Sequence, residues 1–178
     1  MNTQTPIPVW TSTPLHQVRL PEAQRINGRI LAGFAALAVE DYSHRSHYIA
    51  GRFENLYLQR GRIPGLAEVL VFAQEAAREV LRHPAPLRCG FWLNAMEAGN
   101  TTSEHTHEEN DELLSGVYYA AAPPGSGDLV LRDGPLIVRL APHPGTFLFF
   151  PPALPHWVET NGGPGLRLSV GMNFGPAD

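Results

Sequence analysis

The sequence predicts a mainly β protein of the α+β class: an antiparallel jelly roll with two N-terminal helices packed on one sheet. Three observations lead there. Apolar residues recur at spacings of three and four before residue 83 and at spacings of two after residue 87. Gly and Pro number 17 each and punctuate the C-terminal half, as short strands joined by turns require. Those turns separate eight short β segments, enough for two packed sheets.

A length of 178 residues favours one domain with a sizeable core. Residues 1–86 would form an extended segment and the helices, and residues 87–175 the jelly-roll barrel. The net charge of −4, with dispersed Lys and Arg, argues against nucleic acid or an anionic membrane as partner. A single cysteine, Cys89, excludes an internal disulfide and fits a reducing cytoplasm. Residues 1–10 lack the basic and apolar regions of a secretory signal, and no apolar run is long enough to span a membrane.

In chain order, residues 1–21 read as extended, with Val9, Trp10 and Leu15 packing on an edge. Ile26, Ile30, Phe34, Leu37 and Ala38 form the apolar stripe of a first helix, interrupted early by Asn27-Gly28. Residues 41–61 are polar and mixed, and His44 and His47 there read as surface-loop histidines. Residues 64–83 carry the clearest helix. Pro64 sits in its first turn, Leu66, Val69, Leu70, Ala73, Ala77 and Leu81 lie on one face, and His83-Pro84 ends it. Strands are expected over 87–96, 103–107, 113–121, 128–132, 136–140, 146–150, 156–160 and 166–174. An edge strand of this barrel could pair across a homodimer.

The chemistry-bearing stretch is His105-Thr106-His107. On an extended segment, residues i and i+2 face the same side, and neutral imidazole is the commonest protein metal ligand. A third histidine, His156, follows the apolar run at Phe149-Phe150. Three imidazoles from two strands would hold a metal on one side and leave positions open for substrate or dioxygen. Gly99 precedes His105 by six positions and Gly145 precedes Pro151 by six, a pattern that resembles the two histidine motifs of cupins. The glycines would permit tight turns between barrel strands.

Longer blocks extend the resemblance. Leu114-Ser115-Gly116-Val117-Tyr118-Tyr119, Gly125-Ser126-Gly127-Asp128-Leu129, Phe149-Phe150-Pro151, His156-Trp157-Val158 and the run from Arg167 through Ser169 to Phe174 follow in order. Together they resemble the iron(II)/2-oxoglutarate-dependent oxygenases of the double-stranded β-helix fold, in particular a bacterial hydroxylase-like group, over residues 92–174. The resemblance implies His105 and His156 as iron ligands, with His107 at the position usually held by Asp or Glu. It implies Arg167 as the partner of the distal carboxylate of 2-oxoglutarate, because a guanidinium fork binds a carboxylate bidentately. Ser169 and Tyr119 would support that contact, Tyr118 would face away, and Asn94 would line the pocket. Trp92, Trp157 and Phe149 are candidates for an apolar wall.

The third ligand has three readings: His107 itself, Glu109 in a shifted register, or Asp111 or Glu112 as an added ligand from the acidic loop. Three functions compete as well. The first is an iron(II)/2-oxoglutarate oxygenase acting on a small-molecule or peptide substrate. The second is a cupin-type three-histidine dioxygenase without 2-oxoglutarate, and the third a barrel that binds metal or a small ligand without catalysis. The structural alternatives are plain. Arg167 needs a partner if buried, and Asp128 or Glu159 would serve as an ion pair. The acidic loop would be a solvated surface, the two tyrosines would pack, and Cys89 would belong to the core.

Overall fold

The computed structural model describes residues 5–6, 13–108 and 110–177. The elements in order are β1 (Thr5–Pro6), β2 (His16–Arg19), α1 (Ala23–Ala35), β3 (His44–Ile49), β4 (Arg52–Tyr57), α2 (Leu66–Leu81), β5 (Leu87–Met96), β6 (Leu114–Ala121), β7 (Leu129–Asp133), β8 (Leu136–Leu140), β9 (Thr146–Phe150), β10 (His156–Val158) and β11 (Arg167–Pro176). Val9 and Trp10 lie outside the described residues.

Two antiparallel sheets face each other. The larger runs β1-β2-β9-β6-β11-β5-β4-β3, and the smaller runs β10-β7-β8. Period-two burial follows from this stacking, since each strand of the larger sheet divides its side chains between two neighbours. One apolar cluster fills the space between the larger sheet and the helices, joining Ile30, Leu66, Leu70, Leu93, Phe147, Phe149 and Val170. A second fills the space between the sheets, joining Met96, Tyr119, Leu131, Leu148 and Phe150.

The helices pack where their stripes require. The buried face of α2 is Leu66, Val69, Leu70, Ala73, Ala76 and Ala77, as its spacing predicts. Gly33 of α1 is crowded by Ile63 and Pro64, so a methyl group there would meet the chain entering α2 at 2.9 Å. Asn27, the early interruption of the α1 pattern, has a structural purpose: its Oδ1 accepts the buried Tyr118 hydroxyl at 2.5 Å. This bond ties α1 to β6 and confirms that Tyr118 faces away from the barrel interior.

The two glycines expected to turn the chain do so with positive φ, 85° at Gly99 and 84° at Gly145, a region that disfavours any side chain. Two expectations need correction. Residues 103–107 do not form a strand. Only His105 makes a β-bridge, to His156, because the flanking backbone bonds elsewhere. Residues 41–61 are not a plain loop either. They fold into the β3–β4 hairpin, which extends the larger sheet beyond β5 through the pair Leu56 and Leu93. His44 and His47 therefore belong to a strand.

Candidate metal centre

His105, His107 and His156 form one cluster, with a ligand nitrogen from each lying within 4.8 Å of the others. Backbone pairing produces it. The amide of His105 donates to the carbonyl of His156 at 3.0 Å, and the amide of His156 donates back at 3.0 Å. The His107 amide then bonds the carbonyl of Pro152 at 2.9 Å, which carries its ring to the same side. The ring centroids lie 4.3 Å apart for His105 and His156, 4.8 Å for His105 and His107, and 5.0 Å for His107 and His156.

The rings are oriented for ligation. Nδ1 of His105 lies 2.8 Å from the Ser103 carbonyl, and Nδ1 of His156 lies 2.8 Å from the Leu154 carbonyl. A carbonyl only accepts, so each Nδ1 carries the proton and each Nε2 keeps a free lone pair. Burial, reinforced by the neighbouring His105, pushes His156 down to about 3 and His107 down to about 4. Both rings are therefore neutral at pH 7, the form that binds metal. This donor set fits a divalent first-row ion such as iron(II).

The chamber beside the cluster contains Asn94, Phe150, His156, Arg167 and Ser169. Strand register explains the gathering. Ser169 on β11 pairs with Asn94 on β5 and with Tyr119 on β6, and Arg167 stands two residues earlier on the same face. Arg167 is 1% exposed. Its Nη1 donates to Ser169 Oγ at 3.1 Å, while Nε and Nη2 have no hydrogen-bond partner. Among the described residues it forms no ion pair, and Glu159 is engaged by Arg139 instead. Of the two acids expected as a structural partner, Glu159 is taken by Arg139 and Asp128 acts on the guanidinium only through space, without a hydrogen bond, so the fork stays open. Tyr119 does not line this chamber; its ring packs on the guanidinium, 5.1 Å from it. Burial pushes the Tyr119 hydroxyl up to about 12.

Other expectations sort clearly. Trp92 lines the site, with its ring 5.2 Å from His107. Phe149 does not: β9 alternates, so Phe149 joins the helix-side core and Phe150 meets His156 at 4.8 Å. Trp157 packs against the Arg132 guanidinium and takes no part in lining the chamber. Glu109 lies outside the described residues. Asp111 is paired with Arg88, and Glu112 accepts from the Asn110 amide at 3.0 Å, so neither joins the histidine cluster. Cys89 packs partly against the core, and burial pushes its thiol up to about 12, which makes it unreactive.

The β3–β4 hairpin was the missed component. With Trp92, His105 and His107, residues His47, Glu54, Asn55 and Tyr57 enclose a cavity of about 250 Å³. The run Arg52-Phe53-Glu54-Asn55-Leu56-Tyr57 mixes polar and apolar residues without a clean period of two, so it gave little signal of a strand.

No family model matches the chain, and no curated protein does so. Solved structures are similar to it. A prolyl-4-hydroxylase of Pseudomonas putida superposes with a TM-score of 0.66 at 17% identity, covering 94% of this chain and 90% of that one. A 2-oxoglutarate-Fe(II) oxygenase family protein of Burkholderia pseudomallei gives 0.65 at 19% identity, covering 89% and 84%. HygX of Streptomyces hygroscopicus, solved with nickel and 2-oxoglutarate bound, gives 0.68 at 13% identity, covering 93% and 84%. The fold is the double-stranded β-helix of these proteins.

Proposed function

We propose that the protein is an iron(II)/2-oxoglutarate-dependent oxygenase, with His105, His107 and His156 holding the metal. The observation that carries this reading is Arg167, a buried guanidinium with two unpaired donor atoms in the chamber that the histidines also line. A buried cation with two donor atoms lacking an acceptor is costly, and the distal carboxylate of 2-oxoglutarate supplies the missing acceptor. Ser169 holds one edge of the guanidinium and Tyr119 supports its face. Asn94 offers a further polar group on the neighbouring strand. The three solved structures above share this fold, and one of them holds 2-oxoglutarate.

When bound, the metal with 2-oxoglutarate and dioxygen supplies an oxidant that inserts oxygen into a substrate C–H bond. The balance is 2-oxoglutarate, dioxygen and substrate to succinate, carbon dioxide and hydroxylated substrate. The protein's contribution is placement and exclusion of water. Backbone carbonyls fix two of the three imidazoles, Trp92 covers His107, and Phe150 packs against His156. A small molecule or peptide is the substrate class, and a reducing cytoplasm suits both ferrous iron and the single cysteine.

The all-imidazole ligand set favours one second reading, a cupin-type dioxygenase in which Arg167 holds the substrate's own carboxylate. Turnover separates the two. With iron(II) and oxygen, the first reading expects succinate from 2-oxoglutarate, reduced at least about tenfold in Arg167→Ala. Wild-type protein that binds iron but yields no succinate with any substrate tried, and shows no affinity for 2-oxoglutarate, supports the second.

A further inference from the structure

We propose that the cavity over the histidine cluster selects a substrate bearing a protonated amine, and that Glu54 receives the ammonium. The proposal rests on the oxygenase reading only for the fate of the bound substrate. Glu54 is 4% exposed and lines the cavity with His105 and His107. Its Oε1 has no hydrogen-bond partner. Arg52 forms an ion pair with that oxygen at 3.9 Å, close enough to act on it through space but beyond hydrogen-bond reach, so the oxygen still lacks a donor. Arg52 spends its donors on the Thr101 carbonyl at 2.8 Å, the Ala95 carbonyl at 3.3 Å and Asn94 Oδ1 at 3.4 Å. A buried carboxylate oxygen left in this state gains most from a charged donor carried by a ligand.

The rest of the lining agrees in sign. Glu112 is a second carboxylate, and no Lys or Arg among the described residues lines the cavity. At the rim, Arg88 is neutralised by its pairing with Asp111. Tyr57 and Trp92, with ring centroids 6.5 Å apart, add two aromatic surfaces, which attract cations and not anions. Trp92, His105 and His107 border both this cavity and the Arg167 chamber. A substrate tethered at Glu54 therefore reaches the histidine cluster from a space that adjoins, but does not contain, the anion-binding fork. The two spaces divide the charges: Arg167 takes an acid, and Glu54 takes an amine.

Benzylamine and benzyl alcohol form a matched pair of probes for this division. Each is titrated into metal-free protein and followed by amide and indole NMR signals of the β3–β4 hairpin and Trp92. The expected result is benzylamine affinity at least about tenfold above that of benzyl alcohol, with that preference lost in Glu54→Gln. Equal affinities in the wild type overturn the proposal, as does a preference that survives in Glu54→Gln. If the variant does not give a folded spectrum, the wild-type comparison in rising salt decides: a preference that does not weaken argues against an ion pair. Because no metal is present, failure of 2-oxoglutarate turnover leaves this result standing, and failure here leaves the oxygenase reading standing.

Discussion

His105 and His156 hydrogen-bond each other's backbone in both directions, at 3.0 Å each way, so two candidate metal ligands are also a β-bridge. In such a pair the side chains leave the same face, which delivers both rings to one point. Next to it, Thr102 Oγ1 accepts the Val158 amide at 2.7 Å, in a residue only 6% exposed.

Thr102→Val keeps the shape and removes that acceptor, leaving a buried amide unsatisfied. The expected cost is about 1–3 kcal/mol in denaturant unfolding, together with weaker metal binding. An unchanged midpoint and unchanged metal affinity show that the bridge is held by other means.

His107 separates the readings of the third ligand. His107→Ala is expected to lower metal affinity at least about tenfold, while Glu109→Ala leaves it within about twofold. His107→Asp keeps the metal, because a carboxylate is an equally competent ligand at that position. Metal analysis after dialysis decides it, and an empty site in Glu109→Ala with a full one in His107→Ala reverses the assignment.

Gly171 is opposite Trp92 in the β11–β5 register, and a methyl group on it would meet the indole at 2.4 Å. Gly171→Ala therefore pushes Trp92 off its seat and away from His107. The expected outcome is a folded protein destabilised by about 1–3 kcal/mol, with shifted tryptophan fluorescence and looser metal binding. Fluorescence and affinity identical to the wild type rule out Trp92 as the support of His107.

The metal-free protein should lose stability as pH falls from 6.5 towards 4. His156 and His107 titrate in the unfolded chain near 6.5 but in the folded chain at about 3 and about 4, so the unfolded state binds more protons in that window. The slope contributed by His156 is at most about 1.4 kcal/mol per pH unit. Urea midpoints at several pH values give the measurement, and His156→Gln should flatten the curve. A metal-free midpoint independent of pH in this range contradicts the buried neutral rings.

Much of this arrangement was legible in the sequence, for identifiable reasons. The α2 stripe and the alternation in β5 and β11 announced themselves because one face is apolar and the other polar. Arg167 and Ser169 stood out as polar residues two apart, alternating with the apolar Leu168 and Val170. The misassignment of Phe149 has the opposite cause. All five residues of β9 are buried, and its one polar residue, Thr146, stands at the opposite end of the strand from Phe150, so little in the strand marks which side faces the metal centre. The β3–β4 hairpin was obscured because its strands are largely exposed or partly buried and carry mixed side chains, giving no clean period. Glu54 was invisible for a related reason: only the fold shows that one carboxylate in that polar stretch is enclosed. The short strand expected at residues 103–107 shrank to a bridge at His105, while its consequence, rings on one side, held.

One chamber is expected to bind iron(II) through three histidines and 2-oxoglutarate through Arg167. Anaerobic addition of both to the purified protein tests it by visible absorption. The expected result is a weak charge-transfer band that requires metal and 2-oxoglutarate together, disappears in His156→Ala, and needs at least about tenfold more 2-oxoglutarate in Arg167→Ala. A wild-type protein loaded with iron that shows no band at saturating 2-oxoglutarate, or a band unaffected by Arg167→Ala, contradicts it.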